Sequence, residues 1–235
     1  LTVARTLNEM IETAVDPLDL ADWRRRVSEL YAEVRRLAAV HPPAAHAYWR
    51  SARESLYRDH EASPVPAESR SSFQAVHFPY DSGLRFELSL IVDLAEEAAQ
   101  DRPQPVAAGG GGLLGLALPV SSGQPLRFRR IGWLDVPFEG GPRRLALFWL
   151  PEYSGGLFLP FRDGTNGRET YGGGRYLLDS GKGADLGGDP AVGTVVVDFN
   201  FAYQPSCAFD PRWSCPLAPP ENRLDLEVRS GERIG

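Results

Sequence analysis

At Ser63-Pro-Val-Pro66 the chain changes its apolar period, and that change limits the fold more than any other feature. Before it, apolar residues return every three or four positions, as one face of a helix requires. Val3, Leu7, Met10, Ile11 and Ala14 form a first face, ended by Asp16-Pro17. Leu20, Trp23, Val27, Leu30, Val34 and Leu37 form a second, with Asp19 placed to cap it and His41-Pro42-Pro43 to close it. A third helix is expected to start at those prolines and to carry Tyr48, Trp49, Ala52 and Leu56 on one side. This stripe is too short for a coiled coil, so the helices are expected to pack on the rest of the chain, with Trp23, Tyr31 and Tyr57 in that packing.

After Pro66 short β-prone runs alternate with turn chemistry such as Ser121-Ser-Gly123, Gly140-Gly-Pro142 and Asp163-Gly164. The runs are Leu84 to Val92, Leu113 to Val120, Leu126 to Phe138, Arg143 to Leu150, Gly156 to Phe161, Glu169 to Leu178, Gly193 to Phe201 and Leu224 to Arg229. About eight strands at this spacing point to an antiparallel barrel or sandwich. Gln100 to Gly112 and Gly181 to Gly193 are expected to be mobile surface loops. The expected fold is therefore α+β: a helical layer over residues 1–62, packed on a mainly antiparallel β-barrel or sandwich over 63–235.

Charge and composition then exclude several functions. The net charge of −6 argues against a nucleic-acid partner, which needs clustered cations. Lys182 is the only lysine, so Schiff-base chemistry would have to use it, and it lies in the flexible-looking run Ser180-Gly-Lys-Gly183. No apolar run approaches the roughly 20 residues of a membrane span, and no basic-plus-apolar leader is present. The chain starts at Leu1 rather than Met, which leaves a removed segment open. Two cysteines make no disulfide framework at this length, so the expected location is cytoplasmic, with a homo-oligomer left open.

Between Leu157 and Asn222 polar and reactive side chains crowd among glycines. If Glu169 to Leu178 is one strand, Glu169, Tyr171 and Arg175 share a face; in the next strand Asp198 and Asn200 share another. Such faces could converge in a barrel mouth, where Arg175 would anchor an anion while Glu169 or Asp198 moved a proton. The other reading is an internal Arg–carboxylate network that fixes strand register. Arg162-Asp-Gly-Thr-Asn-Gly167 is first a hairpin turn, and it lacks the full oxygen pattern of a calcium loop. Tyr171-Gly-Gly-Gly174 has the glycines of a phosphate loop without Gly-Lys-Ser/Thr or a following helix.

Cys207 and Cys215 admit three readings: ordinary small side chains, a disulfide closing a short loop, or a reactive thiolate activated by a cation such as Arg212 or Arg175. Their spacing is not that of a zinc site, and His41, His46, His60 and His77 show no ligand spacing, so no metal or cofactor is expected. Gly-x-Ser-x-Gly, His-Glu-x-x-His and Walker patterns are absent, and no Gly-x-Gly-x-x-Gly is expected between a strand and a helix.

The run Leu157 to Leu177 resembles the signature of an uncharacterised bacterial domain-of-unknown-function family, DUF1684. So do Asp198-Phe-Asn200, Tyr203, Pro205, Cys207-Ala-Phe209 and Cys215-Pro-Leu-Ala-Pro-Pro-Glu-Asn-Arg-Leu224. Trp49-Arg-Ser-Ala-Arg53 and Ser63-Pro64 fit the start of the same domain, so the resemblance spans about Tyr48 to Gly231. The helices before Tyr48 and the glycines at Gly109 to Gly112 depart from it. The family brings no activity with it. The resemblance gives weight to Arg162, Asp163, Thr165, Glu169, Tyr171, Arg175, Tyr176, Asp198, Asn200, Cys207 and Asn222 as a site or a structural lock, without choosing between them. The expected function is a small-molecule site. In it Arg175 and Arg162 would hold an anionic ligand, Asp163, Thr165, Tyr171, Tyr176, Asn200 and Asn222 would contact it, and Glu169, Asp198 or Cys207 would be catalytic. The alternatives are a non-catalytic interaction module and a thiol-redox role for Cys207 and Cys215.

Overall fold

A computed structural model describes residues 15–92, 116–118, 120–121, 126–151 and 155–235. The expected helix from Val3 to Ala14 and the loop from Gln100 to Gly112 lie outside the described residues. Helix α1 (Pro17–Ala38) opens with a proline whose missing N–H costs nothing there, and the Asp16 carboxylate accepts from the Leu18 N–H at 2.7 Å. Asp16 is thus the cap, and Asp19, the expected one, sits in the first turn. Helix α2 (Pro42–Asp59) is capped by His41, whose Nδ1 accepts from the Ala44 N–H at 3.1 Å. Its buried face runs through Ala45, Trp49, Arg53 and Tyr57, which are spaced by four. That face is rolled away from the expected one, and Tyr48 points to solvent. A single turn, α3 (Ala67–Arg70), follows.

The strands are β1 (Val76–His77), β2 (Arg85–Ser89), β3 (Ile91–Val92), β4 (Leu116–Leu118), β5 (Leu126–Val136), β6 (Arg143–Trp149), β7 (Leu157–Phe161), β8 (Arg175–Asp179), β9 (Thr194–Asp198) and β10 (Glu232–Arg233). All pairings between them are antiparallel. The main sheet runs β3-β5-β6-β7-β8 with β4 on β5, while β2-β9 and β1-β10 are separate two-stranded sheets. The fold is mixed, helices with antiparallel sheets, and the described strands close no barrel.

Several runs fold differently from the sequence expectation. The run Leu84 to Val92 splits between two sheets, with β2 on β9 and β3 on β5. Leu224 to Arg229 forms no strand. Glu169 to Leu178 is a strand only from Arg175 onward; Glu169 and Thr170 belong to a tight turn in which both backbone N–H groups reach the Thr165 carbonyl. Gly193 to Phe201 ends as a strand at Asp198 and continues as a 3-10 turn, Phe199–Phe201. The stretch Gly181 to Gly193 is not a simple surface loop. Ala184 and Leu186 are buried in one apolar cluster with Leu30, Tyr31 and Val34 of α1 and with Phe128, Phe148 and Phe158 of the main sheet.

The helices are also tied to the sheets by charge. Arg53 is buried against Glu232, Nε to Oε1 at 2.5 Å, with its guanidinium 4.2 Å from the Tyr57 ring centroid and 4.6 Å from that of Tyr203. Residues 179 positions apart thereby join α2 to β10.

Candidate functional site

The polar signature falls into two groups. The first is centred on Arg175, whose side chain is fully buried. Gly174 delivers it there with φ +102, and a Cβ at that position would stand 2.6 Å from the Phe161 carbonyl oxygen. The guanidinium donates to Asp163 Oδ2 at 2.6 Å and to the Val228 carbonyl at 2.8 Å, and it also reaches the Ser230 and Glu232 carbonyls. Asp163 turns its other oxygen to Thr165, accepting from the backbone N–H at 2.6 Å and the hydroxyl at 2.5 Å. Thr165 meets the Thr170 hydroxyl at 2.8 Å. Arg175 therefore clamps the 163–170 turn to the segment 228–232, and no ligand can reach it without opening the core.

Other expected ligand contacts are bound up in the same way. Asn222 is fully buried; its amide accepts from the Ala146 N–H at 2.7 Å and donates to the Ala146 and Pro160 carbonyls at 2.9 and 2.7 Å. It replaces the ladder where β6 and β7, paired only at Phe148–Trp149, have separated. Asn200 bridges Asp81, Asp198 and Ser230. Asp198 is fully buried and caps the 3-10 turn through the Asn200 N–H at 3.0 Å, and burial raises its pKa. Glu169 pairs with Arg229 at 3.0 Å. Glu169, Asp198 and Arg175 thus have separate partners and do not form the expected strand-face site. Arg162 lends its backbone, bridging to Arg223, with its N–H on the Asn222 carbonyl at 2.9 Å. Tyr176 is buried with its hydroxyl on the Pro216 carbonyl at 2.5 Å.

The second group is the loop from Pro205 to Pro216. Ser206–Ala208 form a 3-10 turn, and Phe209 anchors it by packing 5.4 Å from Tyr57 and 5.7 Å from Phe73, ring centroid to centroid. Asp210 then reverses the chain, accepting from the Arg212 N–H at 2.9 Å while its carbonyl takes the Trp213 N–H at 3.2 Å. The reversal returns Cys215 to Cys207, whose N–H points at Cys215 Sγ across 3.3 Å. Both cysteines are free; Cys215 is buried and Cys207 half-buried. Ser121 pins the end of the loop, its hydroxyl accepting from the Cys215 N–H at 3.0 Å and its N–H donating to the Cys215 carbonyl at 2.9 Å.

Hydrogen bonds set the electrostatics of this loop. The Cys215 thiol, then the Tyr171 hydroxyl and the Ser121 hydroxyl, favour the thiolate form of Cys207 and bring its pKa down to about 6. The same pairing, with burial, drives Cys215 upward, and burial followed by the Cys207 contact raises Tyr171. Neither arginine considered from the sequence supplies the activation. Arg175 is enclosed elsewhere, and Arg212 holds Asp210 at 3.1 Å and the Ser63 carbonyl at 3.2 Å. The arrangement sets a half-buried cysteine whose neighbours favour its thiolate form beside a buried one whose thiol form is favoured.

Sequence reasoning missed Ser121, 86 positions from Cys207 along the chain, and the Arg53–Glu232 pair, although Arg53 stood in the stretch matched by resemblance. No group of three metal-ligating side chains occurs among the described residues, and no described helix is long and apolar enough to cross a membrane.

Comparison with known proteins gives a family and no activity. The model of a family described as "Protein of unknown function (DUF1684)" matches residues 115–233. That match begins later than Tyr48. A solution NMR structure of an uncharacterized protein from gene locus rrnAC0354 of Haloarcula marismortui is similar, with 30% sequence identity and a TM-score of 0.53. It covers 79% of this chain and 90% of its own. No curated protein matches.

Proposed function

The chain belongs to the DUF1684 family of proteins of unknown function, and from that premise we propose that it performs thiol–disulfide exchange through Cys207 and Cys215. The observation that carries the reading is the loop reversal that sets the Cys207 N–H 3.3 Å from Cys215 Sγ while Cys207 stays partly open to solvent. Cys207, as thiolate, attacks one sulfur of a substrate disulfide and releases one substrate thiolate. Cys215 loses its proton to that thiolate or to water and attacks the Cys207 sulfur, forming the Cys207–Cys215 bond and releasing the second substrate thiolate. The protein dithiol is oxidised by two electrons and the substrate disulfide is reduced by two. Tyr171 and Ser121, beside Cys207, favour its thiolate form.

Incubating the reduced protein with bis(2-hydroxyethyl) disulfide tests this. Wild type is expected to become lighter by two hydrogen masses, with one intramolecular disulfide. Cys215→Ser should stop at the mixed disulfide on Cys207, and Cys207→Ser should not react. A wild-type protein that keeps both thiols, or reacts no faster than a free cysteine of pKa about 8.5, would overturn the reading.

A further inference from the structure

Between the start of α1, the main sheet and the 180–182 turn lies a cavity of about 200 Å³. Phe128, Leu150, Leu157 and Phe158 give it an apolar floor. Phe128 and Phe158 stack with centroids 4.8 Å apart at 29° and are each 3% exposed, so they close the floor of the cavity. The wall carries Arg24, Lys182 and Asp179. Asp179 balances Lys182 at 3.0 Å, and the lysine side chain stays 51% exposed. Arg24 makes no ion pair or side-chain hydrogen bond among the described residues.

Among the described residues, one cation beyond charge balance therefore faces an apolar space. Arg24 also repels the neighbouring Lys182, and an anion placed between them would relieve that repulsion. The size is informative as well: an apolar cavity of about 150 Å³ holds benzene, so this one fits a single ring with a short link to a charged group.

We propose that this cavity binds a small organic anion, a ring-sized apolar body bearing a carboxylate or phosphate that Arg24 grips through its fork of N–H donors. The body lies on Phe128 and Phe158 and the charge sits between Arg24 and Lys182. The proposal goes beyond the thiol reading and does not rest on it. Ser214 and Pro216 line the same space and flank Cys215, but the binding uses neither sulfur.

Titration of the full chain with benzoate, phenyl phosphate and benzyl alcohol, followed by calorimetry and ligand-observed NMR, tests it. At least one anion should saturate with Kd on the order of 0.1–1 mM, about tenfold or more tighter than the neutral alcohol. The tighter of benzoate and phenyl phosphate distinguishes a carboxylate from a phosphate ligand. Arg24 is exposed on α1, so Arg24→Gln should fold and lose about tenfold in affinity, while Arg24→Lys should keep most of it. Leu157→Trp, which fills the floor, should remove binding, and Cys207→Ser should leave it unchanged. Equal binding of alcohol and anions, indifference to Arg24→Gln, or loss in Cys207→Ser alone would overturn the proposal. So would the absence of saturation by any probe at about 10 mM.

Discussion

The segment that carries Asp163, Thr165 and Arg175 turns all three side chains into the core, whereas the segment that carries Cys207 leaves its thiol partly at the surface. Both are glycine- or proline-rich, and both belong to the same polar signature. They differ in where their hydrogen bonds end. The Arg175 guanidinium meets backbone carbonyls and one carboxylate of its own chain, and Arg175 and Asp163 offer no surface to a ligand. Cys207 is only half-buried, and Cys215, Tyr171 and Ser121 favour its thiolate form. Polar density in a sequence therefore marks two unlike things: a closed network that holds distant segments together, and an open one with capacity to react.

The largest effect should come from breaking the closed region. Arg175→Ala leaves Asp163 as a buried unpaired carboxylate and strands the Val228, Ser230 and Glu232 carbonyls. A loss of about 3–5 kcal/mol is expected, read as a fall in the denaturant midpoint. A loss below about 1 kcal/mol would show that Arg175 does not lock the fold. Asn222→Ala removes three bonds between β6, β7 and the 222 turn and should cost somewhat less, about 2–3 kcal/mol by the same measurement.

How far these regions could be read in advance follows from the range of their contacts. The faces of α1 and α2 were visible because Leu30 and Val34 in one, and Trp49 and Ala52 in the other, fall at helical spacing, but Tyr48 turned outward because Ala45 and Arg53 took the buried row. Asp198 and Asn200, two apart, read as one strand face; the carboxylate instead captures the Asn200 N–H two residues on, which ends the strand. The glycine run before Arg175 read as a strand interior and is a turn, since Gly174 needs its positive φ. The cysteine spacing left three readings open. Phe209 packing on Tyr57 and Phe73 brings the sulfurs together, and no local pattern announces that contact.

Acid sharpens the comparison within the closed part. His46 is buried among Trp49, His77, Tyr80 and Phe201, and burial, then His77 and Arg50, lowers its pKa to about 4. His77 is lowered as well, chiefly by burial, although Glu232 opposes it. The folded state resists protonation while the unfolded chain binds a proton near pH 6.5, so stability is complete above that pH. It should fall as pH drops from about 6.5 to about 4, by up to about 3 kcal/mol for His46. His46→Gln should flatten this part of the stability profile. An unchanged slope would assign the acid sensitivity to His77 and the carboxylates instead.

The smallest effect on stability should come from the open loop, where Cys207→Ser keeps the shape of a half-exposed side chain and should move unfolding by no more than about 0.5–1 kcal/mol. Its effect on chemistry should be total, which is the contrast with Arg175→Ala. In the wild type, alkylation by iodoacetamide should rise with pH around a midpoint of about 6 rather than the ordinary thiol value, because the Cys215, Tyr171 and Ser121 contacts favour the thiolate. Tyr171→Phe removes one of those donors and should move the midpoint upward without unfolding the protein, as Tyr171 is only half-buried. If the midpoint stays put in Tyr171→Phe, the thiolate is held by Cys215 and Ser121 alone. If it sits near 8.5 in the wild type, the loop is a second structural element, and the distinction between open and closed regions fails at the residue that defines it.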